Sequence, residues 1–169
     1  KSININQVVL ATSNNENNLP LVEHIKGLGY EVFSGDENNV LDRYFHAAKL
    51  FEADAIVRIT GDCPLVDSTL VDEVINGFID TNSDYASNRE PPTYPDGLDV
   101  EVVSIEALEE AHKKAKGDFQ REHVTPYIIN SVTYKNFYLK NSEDLSAERW
   151  TVDEPEDFNV VQNIFNFFY

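Results

Sequence analysis

The chain has 169 residues, a formal net charge of −17 from 30 acidic and 13 basic side chains, and 41% hydrophobic residues. That length supports one domain over residues 1–169 with a real core, and so negative a field argues against nucleic-acid or anionic-membrane partners. One cysteine, Cys63, excludes an intramolecular disulfide framework and fits a reducing cytoplasm; no apolar run approaches the ~18 residues of a membrane span.

The sequence predicts a first short strand at Gln7–Thr12, followed by a polar loop. Leu21, Val22, Ile25 and Leu28 then form a helical stripe that Gly29 stops. Glu31–Phe33 reads as a second strand. Val40–Phe51 is an amphipathic helix, and Ala55–Ile59 is a third strand broken by Gly61 and Pro64. Asp67 or Ser68 caps a helix carrying Leu70, Val71, Val74, Ile75, Phe78 and Ile79. This strand–helix alternation predicts an α/β fold built on a mainly parallel sheet. Beyond it come a short strand at Asp84–Ser87, a strand at Leu98–Val103, and a helix at Ile105–Lys116 capped by Ser104. A short helix over Arg121–Asn130, a strand at Asn136–Lys140 and a C-terminal helix from Glu154 to Phe168 complete the order.

Several chemistries are absent. Gly27-Leu28-Gly29 lacks a third glycine and sits at a helix end, and no Gly-Lys-Ser/Thr phosphate loop occurs. One Cys and four scattered His offer no plausible zinc site. No Gly-x-Ser-x-Gly elbow exists. Dehydrogenases, P-loop NTPases and α/β-hydrolases are thereby set aside. The basic residues Lys113, Lys114 and Lys116 lie near a helix end, where cations suit the dipole.

Two acidic motifs remain, Thr60-Gly61-Asp62-Cys63-Pro64-Leu65-Val66-Asp67 and Trp150-Thr151-Val152-Asp153-Glu154-Pro155-Glu156-Asp157. Asp62 follows the carboxyl end of a strand, where open α/β sheets bind ligands; the alternative is a turn-forming Gly-Asp pair. Asp153 is either a metal ligand or the N-cap of the last helix. If folding brings the two together, they make a two-carboxylate Mg²⁺ site with room for substrate phosphates. Within Tyr94-Pro95-Asp96-Gly97-Leu98-Asp99-Val100-Glu101, Asp99 and Glu101 share a strand face at period two. They suit sugar hydroxyls on a cleft wall, or else a solvated edge. Arg121 and His123, in Arg121-Glu122-His123-Val124-Thr125-Pro126-Tyr127, either contact phosphate or a sugar carboxylate, or belong to a helix tied to the sheet through His123 and Tyr127.

Taken in order with Val32-Phe33-Ser34-Gly35, Val40-Leu41-Asp42-Arg43-Tyr44, Asp84-Tyr85-Ala86-Ser87-Asn88 and Arg149-Trp150-Thr151-Val152-Asp153, these segments resemble the spore-coat polysaccharide biosynthesis branch of the cytidylyltransferases. That branch is related to the enzymes that make CMP-KDO and CMP-sialic acid. The resemblance implies a Rossmann-like nucleotide-diphospho-sugar transferase fold with a mixed, mainly parallel sheet. It implies transfer of CMP from CTP to a sugar, releasing pyrophosphate, in surface polysaccharide or glycan synthesis. Asp62 and Asp153 would be the catalytic Mg²⁺ ligands. Asp42, Arg43 and Arg58 would lie toward the nucleotide, and Asp99, Glu101, Arg121 and His123 would line the acceptor pocket. CTP and a sugar acceptor are the expected partners; relatives commonly pair as dimers, so a homodimer is among the expected assemblies.

The family opens with a first strand and a loop of the form Gly-x-x-x-Ser-x-Arg-Leu-Pro-x-Lys that holds the CTP phosphates, and nothing like that loop occurs here. The chain also contains no methionine. An N-terminally incomplete domain of weak activity is therefore expected, with strands left unpaired around a gap in the sheet. Two rivals stand beside this reading. A metal-dependent glycosyltransferase would usually show Asp-x-Asp where this chain has Gly61-Asp62-Cys63-Pro64. A non-catalytic sugar- or nucleotide-binding module of the same fold is the other.

Overall fold

A computed structural model describes residues 2–168. Among the described residues, six strands and seven α-helices follow in the order β1 (Val9–Ser13), α1 (Leu19–Gly27), β2 (Glu31–Gly35), α2 (Val40–Leu50), β3 (Ala55–Arg58), α3 (Ser68–Thr81), β4 (Tyr85–Ser87), β5 (Glu101–Ser104), α4 (Ile105–Lys114), α5 (Asp118–His123), α6 (Pro126–Ile129), β6 (Asn136–Tyr138) and α7 (Pro155–Phe168). The strands form a two-stranded sheet, β1-β2, and a four-stranded sheet in the order β3-β5-β4-β6. β1 pairs with β2 in parallel, Val9 opposite Glu31, and β4 pairs with β6 in parallel, Tyr85 opposite Asn136. Among the described residues, β1 is an edge of one sheet and β3 an edge of the other. No described helix is long and apolar enough to cross a membrane.

The chain divides into two compact units, one holding residues 57–102 and 136–168 with the N-terminal residues 2–4, the other holding residues 5–56 and 103–135. In the first, Asp67 caps α3 by accepting from the Thr69 and Leu70 N–H groups at 2.9 and 3.0 Å. The stripe Leu70, Val71, Val74 and Ile75 is buried, and α3 packs on β4 and β6. Gly77 is required there, since a Cβ would come within 2.1 Å of the Phe137 ring. Tyr85, Ala86, Leu98, Val100 and Val102 complete that core. In the second unit, α2 packs against β1, β2, α4 and α5. Leu41, Ala47 and Ala48 meet a core that includes Leu108, Ala111, Val124 and Ile128. Ser104 caps α4 through the Ala107 N–H at 3.2 Å.

Two expectations are corrected. The single helix expected at Arg121–Asn130 is two helices, α5 and α6, parted by Val124 at φ 70 and Thr125. Pro126 opens α6, a first-turn position that its missing N–H favours. The predicted strand at Leu98–Val103 begins only at Glu101 and runs to Ser104, because the preceding residues bond to side chains and loops.

Candidate active site

Three motifs that are distant in sequence meet in the first unit through backbone hydrogen bonds. The Val152 N–H donates to the Asp62 carbonyl at 2.9 Å. Asp96 and Arg149 form a parallel bridge, with the Asp96 N–H on the Glu148 carbonyl at 3.0 Å and the Trp150 N–H on the Asp96 carbonyl at 2.7 Å. Gly97 stands at φ 102, and a Cβ there would lie 2.7 Å from the Trp150 carbonyl carbon. A side chain would thus push this turn away from the Trp150–Thr151 segment that precedes α7. Asn88, 1% exposed, braces the arrangement from β4. Its Nδ2 donates to the Leu98 carbonyl and its Oδ1 accepts from the Val100 N–H, each at 2.9 Å.

The acidic side chains are held by three arginines. Arg58 Nη1 donates to Glu101 Oε2 at 2.5 Å, and the Tyr85 hydroxyl donates to Glu101 Oε1 at 2.7 Å. Glu101 is 1% exposed, so its charge rests on these partners. Burial, and then the Glu101 carboxylate, push the Tyr85 phenol up, which keeps it a neutral donor. Arg89 Nε reaches Asp99 Oδ2 at 3.1 Å, and its Nη1 reaches Glu101 Oε2 at 3.7 Å. The two acids share Arg89 as a partner, although only Glu101 lies within β5. Burial raises the Asp99 carboxyl, and Asp96, Glu101 and Asp62 raise it further against the lowering by Arg89. Asp62 and Asp99 therefore share one electrostatic field.

Arg149 binds Asp157 through both Nη atoms, at 2.8–3.1 Å, and reaches Asp153 Oδ2 at 3.1 Å. Thr151 Oγ1 donates to the same Asp153 oxygen at 2.8 Å. At the start of α7 it is Asp157, not Asp153, whose carboxylate accepts backbone N–H groups, from Asp153 at 3.0 Å and Glu154 at 2.9 Å. The capping explanation for Asp153 is weakened accordingly. Cys63, 4% exposed, has its thiol pushed up to about 11 by burial and is no nucleophile at neutral pH.

Hard oxygen donors on two abutting segments, inside an acidic field, fit a divalent cation such as Mg²⁺ better than a soft one. Asp62 and Asp153 are the residues that would hold it.

The remaining candidates lie in the second unit. Arg43 Nη1 donates to the Asp36 and Glu37 carbonyls at 2.9 and 3.0 Å, bracing the turn into α2. Asp42 accepts or shares a hydrogen with His112 Nε2 at 2.8 Å. Arg121 Nη2 donates to the Ala115 carbonyl at 3.2 Å, and the exposed His123 packs its ring 4.5 Å from Phe119. Of the acceptor set named from sequence, Asp99 and Glu101 belong to the first unit and Arg121 and His123 to the second. Arg89 and Arg149 were missed as site residues. Arg149 stood in a quoted motif beside Asp153; Arg89 carried no signal, because its acidic partners are set by the fold.

A profile of the family described as Cytidylyltransferase matches residues 1–161. The chain belongs to the cytidylyltransferase family. It is 41% identical over 163 residues to the uncharacterised protein MJ1063 of Methanocaldococcus jannaschii, covering 95% of this chain and 66% of that one. It is 33% identical over 162 residues to the spore coat polysaccharide biosynthesis protein SpsF of Bacillus subtilis, covering 94% and 66%. The chain thus spans about two thirds of the length of both curated relatives. The structure of a cytidylyltransferase from Leptospira borgpetersenii superposes with a TM-score of 0.90 at 32% identity, over 96% of this chain and 69% of that one. That match establishes the fold of this cytidylyltransferase-family chain as the Rossmann-like α/β nucleotidyltransferase fold expected from its motifs.

Proposed function

We propose that the chain serves Mg²⁺-dependent transfer of CMP from CTP to a sugar hydroxyl in polysaccharide or glycan synthesis. The acceptor oxygen attacks the α-phosphorus of CTP in line, and pyrophosphate leaves. The observation that carries this reading is the Val152–Asp62 backbone bond, which joins the two acidic motifs of a cytidylyltransferase-family chain. Such chemistry depends on positioning and on neutralising phosphate charge, with little covalent work for the protein.

Bound Mg²⁺ supplies the charge neutralisation at the phosphate oxygens. The chain's own side chains do the rest. Arg149 and Thr151 fix the orientation of Asp153. Arg89 holds Asp99 and Glu101 together; Asp99, less buried than Glu101, is the acid suited to accept from a sugar hydroxyl, while Glu101 anchors the arginines. Arg58 is committed to Glu101 in a pair 14% and 2% exposed, so its role toward CTP is to order the acidic wall.

The test offers the chain CTP, other nucleoside triphosphates and nucleotide-sugars, each with Mg²⁺ and a panel of acidic sugars. Pyrophosphate release from CTP that requires both metal and sugar supports the proposal. Reaction from a nucleotide-sugar with none from CTP points to a glycosyltransferase. A chain that neither binds CTP nor turns it over would sink the assignment.

A further inference from the structure

We propose that Asp42, His46 and His112 form a binding site for a divalent transition-metal ion of the zinc class, separate from the Asp62–Asp153 region. Asp42 and His46 stand at i and i+4 on α2, so they share one face. His112 comes from α4, which packs on α2 in the same compact unit. The three donor atoms all lie within 4.8 Å of one another. His112 Nε2 is 2.8 Å from Asp42 Oδ1, and His46 Nε2 is 3.4 Å from the same oxygen. Zinc ligands sit roughly 2.0–2.2 Å from the metal, which places tetrahedral neighbours about 3.3–3.5 Å apart. The His46–Asp42 spacing already has that value, and the His112–Asp42 pair needs to open by about half an ångström.

The surroundings support ligation. Phe45 stacks on the His112 ring at 4.2 Å and 15°, and it meets His46 edge-on at 5.1 Å. One aromatic side chain thereby restrains both imidazoles. The His46 and His112 rings stand 79° apart, so their nitrogens approach a common point from different directions. His46 is half exposed and Asp42 about a third, leaving the outer side open for water to complete the coordination. Two imidazoles and a carboxylate select zinc, cobalt, nickel or copper over magnesium and calcium. The charge of −17 raises the local concentration of any cation. A hydrogen bond tying α4 to α2 would account for His112 alone; it gives no reason for a second histidine on the same carboxylate oxygen. A bound ion would clip α2 to α4 and stabilise the folded chain by mass action.

The experiment titrates Co²⁺ and Zn²⁺, without nucleotide, into the chelator-treated chain, following cobalt absorption in the visible and the melting temperature. One equivalent is expected to bind with a tetrahedral or five-coordinate cobalt spectrum and to raise the melting temperature. His46→Ala and His112→Ala should each weaken binding by about 10- to 100-fold, the range typical for perturbing a metal site. His24→Ala, on α1, should leave it unchanged. Because His46 is half exposed, its variant is the decisive one, with far-UV circular dichroism confirming that it folds. Binding of equal strength by His46→Ala overturns the proposal. So does a wild-type chain that shows no cobalt spectrum and no zinc-dependent rise, which would leave His112–Asp42 a structural tie only.

Discussion

Glu101 illustrates how much a single buried side chain can demand of its neighbours. A carboxylate 1% exposed is tolerable only while Arg58, Arg89 and Tyr85 supply charge and hydrogen bonds. Replacing Tyr85 with Phe removes one donor and leaves Oε1 without it, so the variant should lose about 1–3 kcal/mol, seen as a lower urea midpoint with an unchanged slope. A midpoint equal to wild type would mean that Tyr85 contributes nothing to Glu101. Gly97 is a second test at this scale. Its φ of 102 and the 2.7 Å approach of the Trp150 backbone leave Ala nowhere to go, so Gly97→Ala should cost at least about 1–3 kcal/mol. It should also shift Trp150 fluorescence; a variant with wild-type stability and spectrum would show that the turn does not abut Trp150. Asp96-Gly97 is turn chemistry in any sequence, but what it packs against is not local, since Trp150 lies far along the chain.

At the scale of elements, α7 depends on its first turn. Only Val161 of the helix is buried, while Phe158, Val160, Phe165, Phe167 and Phe168 are exposed. The Glu154 and Asp153 N–H groups, and then Arg149, hold the Asp157 carboxyl below the usual carboxylate range. A depressed pKa stabilises the fold above the ordinary carboxylate range, and the contribution disappears as pH falls through the depressed value. The helix start should therefore loosen on acidification below about pH 4, monitored by Trp150 fluorescence and helical circular dichroism. Asp157→Asn should lose most of that acid dependence; an acid limb identical to wild type would contradict the assignment. Helix periodicity made α1 to α4 and α7 legible to within a few residues, because each presents an apolar stripe. The break between α5 and α6 was hidden, since a β-branched Val124 at φ 70 runs against local preference and is imposed by its burial. The sequence shows only four scattered histidines and no plausible zinc site, because His112 joins Asp42 and His46 only through the packing of α4 on α2.

For the molecule as a whole, the order of motifs identified the family, and the fold then explained their spacing. Asp62, Asp99 and Asp153 fall in one unit, where the segment before α7 makes backbone hydrogen bonds to both the loop after β3 and the Gly97 turn. Local sequence could not reveal that Arg149 and Arg89 hold these acids, because cation–carboxylate pairing follows from tertiary placement. The central claim is that Asp62 and Asp153 serve one magnesium ion beside CTP. Its most direct measurement is calorimetric titration of Mg²⁺–CTP into wild type, Asp62→Asn, Asp153→Asn and the double variant. Two ligands of one ion are coupled, so each single change should weaken binding at least tenfold and the double change should cost clearly less than the sum. Additive losses, single variants that bind as wild type, or a wild-type chain indifferent to Mg²⁺–CTP would contradict it.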